Sequence, residues 1–357
     1  MVITDIGTEV RSFRFEEPMK VAFATITDMD VCIVKVQTDE GITGYGEAAP
    51  LPFVTGESLE TVLAVGEELK KVLIGTDPRA LGSVHRIMDG LFHGNTSIKA
   101  GIDMACYDIA SKSAGLPLYR YLGGDDPHIH SDVTIGIDTP ERMAQKALEW
   151  TGKDFDILKV KLGEDIRTDA QRIRAVREAV GEDIGIRVDA NQGWTVKDTL
   201  QILPELEKWG VDLLEQPVAA WDYEGLKEIR DRAGILIAAD ESCHGIQDAM
   251  RLASMRAVDV INIKLMKCGG IWNALKIGAV CEAAGLSCMI GCMGESTLAN
   301  LAGMHLAAAM DIIREVDLDA VYILKQESVC GGYDHRGGRA LLWETPGIGC
   351  TVKGVQA

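Results

Sequence analysis

DILKVK (156–161), GIRVDAN (185–191), DLLEQP (212–217), ILIAADES (235–242) and VINIKLMK (260–267) decide the fold of this chain. Each is a short apolar run ending on charge: Lys159 and Lys161, then Asp189, Glu215, Asp240 and Lys264. Lys161, Asp189, Glu215, Asp240 and Lys264 follow one another at intervals of 28, 26, 25 and 24 residues. A strand, a helix and their two loops need about thirty residues. One charged side chain per repeat, always near the carboxyl end of a strand, is how the active face of a (β/α) barrel reads in sequence. Three spaced carboxylates suit a hard divalent cation. Lysines before and after them suit proton transfer beside it.

Working outward, the same beat extends both ways. DVTIGI (132–137) supplies a first strand, LSCMIGCMGES (286–296) a seventh with its loop, and REVDLDA (314–320) an eighth. Upstream, residues 1–55 alternate with period two and read as an antiparallel meander. Two stretches, 17–30 and 47–56, are expected to be loops, and Pro50 and Pro52 exclude a helix interior from the second. Residues 57–122 carry helical periodicity. Their last segment, SIKAGIDMACYDIASKSAG, is rich in small residues and should pack closely. The glycine-rich tail after 322 is expected to return to the N-terminal region. The expected division is 1–125 as an α+β cap, 126–322 as the barrel, and 323–357 as a segment rejoining the cap.

Composition sets the outer limits. The 357 residues are 47% hydrophobic and 25% charged, which suits a globular chain of one large and one smaller unit. A net charge of −18 argues against nucleic acid and anionic membrane as partners, because both demand a basic face. No uncharged apolar run is long enough to span a bilayer. The segment MVITDIGTEVRSFRFEEP lacks an apolar signal core, so no export is expected. Nine scattered cysteines without a C-x-x-C pair suit free thiols in a reducing cytoplasm. A homo-oligomer is the expected assembly.

Strand alternation turns Lys159 and Lys161 to the same side. Two like charges a few ångströms apart oppose each other's protonation, so one of them is expected to serve as a base near neutral pH. Asp189, Glu215 and Asp240 could singly be helix caps or surface acids. Together, on successive strand ends, they read as oxygen ligands for Mg²⁺ rather than zinc. Asn191 and Glu241 are candidates to support that shell. GITGYG (41–46) follows an antiparallel strand rather than opening a helix, so a nicotinamide-binding turn is disfavoured.

KVK (159–161), VDANQGW (188–194), LEQP (214–217), ADES (239–242) and NIKLMKCGG (262–270) together resemble the enolase superfamily, in its muconate-lactonising subgroup. The resemblance runs the length of the chain. It implies a (β/α)₇β barrel capped by an α+β domain, Mg²⁺ on Asp189, Glu215 and Asp240, and Lys161 and Lys264 on opposite sides of the substrate α-carbon, with Lys159 tuning Lys161. Enzymes of this kind use such a base with Mg²⁺ to stabilise an enediolate. A lysine on each face supports racemisation or epimerisation. DLDA (317–320), GCMGES (291–296) and Thr134 are similar to dipeptide epimerases, in which the Asp317/Asp319 pair would bind the substrate ammonium group. Glu295 would orient the shell or the substrate. Ala24 stands where epimerases of Ala-Glu type carry an arginine. Leu51 and Gly294 stand where relatives favouring cationic dipeptides carry acids. A neutral, apolar side chain is therefore expected, walled by Leu51, Phe53, Met19 and Phe23. The alternatives are a muconate cycloisomerase or o-succinylbenzoate synthase on the same fold, or, remotely, a non-catalytic binding barrel.

Overall fold

The computed structural model describes residues 1–325 and 329–354. The chain begins with an antiparallel sheet of β1 (Ile3–Val21), β2 (Ala24–Thr38) and β3 (Thr43–Ala48). Helices α1 (Leu59–Leu73), α2 (Leu81–Leu91), α3 (Thr96–Ala114) and the single turn α4 (Leu118–Tyr121) cover it. Ser58 opens α1 with a capping box shared with Thr61. The small residues of α3 do bring it close: a Cβ on Gly46 would overlap the carbonyl of Gly101, and one on Gly44 that of Ala105. Only glycine lets this strand and helix touch backbone to backbone.

The expected loop at 17–30 is corrected by the structure. β1 and β2 form one long hairpin whose turn takes only residues 22 and 23, with a register break between Arg14 and Met19. Alternating apolar residues such as Val21 and Ile26 continue the strand pattern past that irregularity, so the segment folds as an arm. Its tip lies on the barrel mouth, where Ile137 N–H donates to Lys20 C=O at 2.8 Å and Lys20 pairs with Glu164 at 2.7 Å.

After β4 (His128–His130) the barrel strands follow: β5 (Val133–Ile135), β6 (Ile157–Lys161), β7 (Gly185–Asp189), β8 (Leu213–Glu215), β9 (Leu236–Ala239), β10 (Val260–Ile263), β11 (Ser287–Gly291) and β12 (Ile313–Asp317). They pair in parallel in that order. Asp132 N–H donates to Val316 C=O at 3.1 Å, nearly closing the ring between its first and last strands. The strands are Val- and Ile-rich and mostly buried, as parallel strands covered by helices must be. The outer helices are α5 (Pro140–Thr151), α6 (Ile166–Val180), α7 (Val196–Lys208), α8 (Tyr223–Arg230), α9 (Ile246–Met255), the one-turn α10 (Leu265–Cys268), α11 (Ile271–Ala284) and α12 (Thr297–Ala307). α5 starts with Thr139 as N-cap and Pro140 in the first turn.

After the turn α13 (Ala320–Ile323), the tail forms β13 (Val329–Gly331), β14 (Tyr333–Arg336), β15 (Arg339–Leu342) and β16 (Cys350–Val352). β15 pairs with β4, while Lys325 N–H reaches Arg14 C=O and Leu118 N–H reaches Gly347 C=O. The tail thus touches both the barrel entrance and the cap; residues 326–328 and 355–357 of this expected return segment lie outside the described residues. Two buried acids lock cap to barrel: Asp103 of α3 accepts from Ile271 N–H at 2.5 Å, and Glu47 of β3 accepts from Ser296 N–H at 2.8 Å. Among the described residues, no helix is long and apolar enough to cross a membrane.

Candidate active site

Strand register assembles the site. Lys161 on β6 stands opposite Asp189 on β7, which stands opposite Glu215 on β8. In-register neighbours in a sheet are about 4.8 Å apart, so these three side chains leave the barrel side by side. Asp240 follows one residue after β9, and Lys264 one after β10. The order is therefore lysine, three carboxylates, lysine, on five adjacent strands. Asp189, Glu215 and Asp240 are fully buried, and one oxygen from each lies within 4.8 Å of the others.

Each carboxylate has one oxygen held by the protein. Asp189 Oδ1 accepts from Asn191 N–H at 2.8 Å. Glu215 Oε1 accepts from Asn262 Nδ2 at 2.6 Å. Asp240 Oδ1 accepts from Lys267 Nζ at 2.5 Å. The second oxygens meet cations. Asp189 Oδ2 accepts from Lys161 Nζ at 2.6 Å, and Asp240 Oδ2 from Lys264 Nζ at 2.7 Å. Glu215 Oε2 stands 2.6 Å from Lys159 Nζ, yet it makes no directed hydrogen bond. A buried carboxylate oxygen without a hydrogen bond, in a set of three hard oxygen donors, fits a divalent cation of the Mg²⁺ class. Pinning the outer oxygen is how supporting groups orient such ligands.

The surroundings of Lys159 fix its charge. It is buried among carboxylates, donating to Asp317 Oδ2 at 2.6 Å and lying 3.3 Å from Asp189. Burial alone would lower its pKa, but Asp317, Glu215 and Asp189 outweigh that and raise it well above the ordinary lysine value. Its neighbours are acids more than Lys161, so it is held as an ammonium ion. Lys264 is raised in the same way, with Asp240 overcoming burial. Burial also opposes ionisation of Asp189, but Lys161 and Lys159 bring its pKa below the usual range. Glu241, beside Asp240, is pushed up to about 8, by burial first and then by the Asp240 charge. Its Oε1 accepts from Asn191 Nδ2 at 3.3 Å, which links the two residues expected to support the shell.

Asp317 ends β12, whereas Asp319 sits in the helical region at the start of α13. The two carboxylates share the cavity because the chain turns between them. Asp319 Oδ2 accepts from Thr134 N–H at 2.7 Å, and its pKa is raised by burial and by Asp317. Both acids, both lysines (161 and 264), Thr134, Asn191, Glu241, Leu51 and Gly294 line one chamber. Its apolar wall is Phe15, Met19, Val21, Phe23, Ile26, Val54 and Met293.

Ala24, Phe53 and Glu295 are placed elsewhere. Ala24 begins β2 opposite Val21 and does not line the chamber; Ile26 does. Phe53 is 64% exposed and reaches the site only by packing on Phe23, ring centroids 5.6 Å apart. Glu295 folds back behind its own loop, accepting from Met293 N–H at 3.3 Å, and is pushed up to about 8 by burial and by Glu47. Gly294 lines the chamber with φ +105°, and a Cβ there would overlap the Met29 sulfur, so a side chain at this position would strain the backbone and need Met29 to move.

Sequence reasoning missed Lys267, Asn262, Arg187 and Asp132. Lys267 is 1% exposed and hydrogen-bonds Asp240 and the carbonyl of Asn262. Arg187 in β7 donates to Asp132 at 2.7 Å, tying the first strand to the third inside the barrel. None of the four stands on the strand-end repeat, so none carried a signal in the sequence.

The fold and site define a class: a (β/α) barrel that presents three oxygen ligands flanked by two lysines, for acid–base chemistry beside a divalent cation. The family follows from comparison. A mandelate racemase/muconate lactonizing enzyme N-terminal domain matches residues 5–123, and an enolase C-terminal domain-like region matches residues 142–356. The chain belongs to this family of the enolase superfamily.

The hydrophobic dipeptide epimerase of Enterococcus faecalis is 44% identical over 351 residues, 98% of this chain and 99% of that one. A crystal structure of dipeptide epimerase from that organism, complexed with Mg and L-Leu-L-Tyr, matches with a TM-score of 0.97 at 44% identity, covering 98% of this chain and 100% of the other. Dipeptide epimerase from Cytophaga hutchinsonii, complexed with Mg and D-Ala-L-Val, matches with a TM-score of 0.97 at 38% identity, over 99% and 97% of the two chains. The N-succinyl-L-Arg/Lys racemase of Bacillus cereus is 37% identical over 99% of this chain and 96% of its own.

Proposed function

We propose that this protein is a Mg²⁺-dependent dipeptide epimerase that inverts the α-carbon of the C-terminal residue, with a preference for neutral or hydrophobic side chains there. The carrying observation is the order lysine, three carboxylates, lysine, faced across one apolar chamber by Asp317 and Asp319. Asp189, Glu215 and Asp240 would hold the ion, which supplies positive charge where negative charge develops on the substrate carboxylate.

Everything else falls to the chain. Lys161 and Lys264 approach from β6 and from beyond β10, on the two sides of the carboxylate cluster. One takes the α-proton; the other returns a proton to the opposite face, and the reverse reaction exchanges their roles. Asp317 and Asp319 receive the substrate ammonium group, a charge-assisted contact that amine-free diacids would lack. The same pair therefore argues against cycloisomerase or succinylbenzoate synthase chemistry. The walls from Phe15 to Met293 exclude water and take an apolar side chain. Nine free cysteines, mostly buried, support a cytoplasmic location. A homo-oligomer is supported by the apolar groove between α9 and α11 with Met250 exposed, and light scattering in solution tests it.

Incubating hydrophobic L,L-dipeptides with Mg²⁺ in D₂O tests the activity. The expected result is one deuterium at the C-terminal α-carbon and accumulation of the L,D product. Absence of exchange across a hydrophobic panel overturns the reading.

A further inference from the structure

Behind Thr134 lies a second cleft, of about 140 Å³ against about 90 Å³ for the apolar chamber. That is room for roughly ten waters, or one extended side chain. Met19, Thr134 and Ile323 line both cavities, which adjoin there. The two cavities differ in chemistry. The second is edged by Glu16, Glu17, Asp138 and Glu149 against Arg142 and Lys146.

Resting on the reading above, we propose that this cleft is the subsite for the side chain of the dipeptide's N-terminal residue, and that it selects a basic side chain over an acidic one. One observation and two consequences of that reading lead there. Asp319, which receives the ammonium group on that reading, accepts from the N–H of Thr134, a residue shared by both cavities. An N-terminal residue carries its ammonium group and its side chain on one carbon, so a chain held at Asp319 starts its side chain where the two cavities adjoin. The apolar chamber, next to Lys161 and Lys264, is taken by the side chain of the residue being inverted.

Charge sets the preference. Lys146 is already engaged by Glu17 at 3.0 Å and Glu149 at 3.3 Å, and Arg142 lies 3.7 Å from Asp138. Four acids against two cations leave the rim negative, and Glu16 has no ion partner among the described residues. A lysine or arginine side chain completes this set; a glutamate adds a fifth negative charge. These groups are mostly solvent-exposed, with Lys146 half-buried, so screening limits the discrimination.

The test is a panel of X-Leu dipeptides with X = Ala, Lys, Arg or Glu, assayed for inversion of Leu and for binding by titration calorimetry in Mg²⁺. Lys-Leu and Arg-Leu are expected to exceed Glu-Leu in kcat/KM by about tenfold, equivalent to about 1.4 kcal/mol, with the ratio shrinking in 0.5 M salt. Glu16→Gln should lower the ratio and Glu16→Lys should push it below one. A wild-type ratio at or below one, or a ratio that neither substitution moves, overturns the subsite. If no member is turned over, the epimerase reading falls instead, and the subsite is then judged by whether Lys-Leu still binds more tightly than Glu-Leu.

Discussion

Lys267→Met removes a buried charge while nearly keeping its volume. The wild-type ammonium group donates to Asp240 Oδ1 and to the Asp240 carbonyl, both at 2.5 Å, and to the Asn262 carbonyl at 3.0 Å. Without it, three buried oxygens lose their partner and Asp240 keeps only Lys264. Breaking a buried ion pair from one side costs about 3–5 kcal/mol. Loss of an orienting neighbour weakens a metal site by about 10–100-fold. Two measurements follow. Chemical unfolding without metal should show the stability loss. Calorimetric titration of the folded variant with Mg²⁺ should show the weaker affinity. At saturating Mg²⁺ the variant should also gain about 1.4–2.7 kcal/mol less stabilisation from the ion than wild type, the linkage equivalent of that affinity loss. A folded Lys267→Met protein that binds Mg²⁺ within about threefold of wild type would show that Lys267 does not orient Asp240.

The two lysines should separate by face. Lys161→Ala and Lys264→Ala should each abolish epimerisation, yet each should still exchange the α-proton of one epimer in D₂O, and not the same one; exchange of both epimers by either variant would refute the two-sided arrangement. Asp319→Asn should raise KM for dipeptides more than it lowers kcat, and N-acetylation of the substrate should mimic the loss; an N-acetylated dipeptide turned over as well as the free one would refute the ammonium assignment. Glu295 is raised from 4.5 to about 8 by burial and by Glu47. Between those values the unfolded chain has released a proton that the folded chain retains, so stability falls as pH rises from 4.5 to 8, by up to about 1.4 kcal/mol per unit. Glu295→Gln should flatten that slope in denaturant midpoints measured at pH 5 and pH 8, and an unchanged slope would count against the buried neutral acid.

Much of this site was legible in the linear chain, for a definite reason. A (β/α) unit has a nearly fixed length, so strand ends recur at a readable interval, and charge at the end of an apolar run marks the open face of a barrel. That is enough to find Lys161, Asp189, Glu215, Asp240 and Lys264 and to infer the cation between them. Composition and alternation likewise delimit the antiparallel cap and its close-packed helix. Side-chain type and local period are carried by neighbours a few residues apart, and sequence holds them directly.

What tertiary structure alone decided depends on contacts between distant segments. The arm at 17–30 reads as a loop until a register break lets β1 and β2 pair on, and its tip then supplies the chamber wall from Val21 and Ile26 rather than Ala24. Lys159 reads as a neighbour that would tune Lys161; that Asp317, 158 residues away, and Glu215 hold it as a permanent cation is seen only in the closed barrel. Lys267 and Asn262 read as ordinary polar residues until the barrel closes and each takes one oxygen of a buried carboxylate in the proposed metal site. Electrostatic environment and buried-oxygen pairing are sums over everything packed nearby, and which groups are near is known only once the ring of strands is formed.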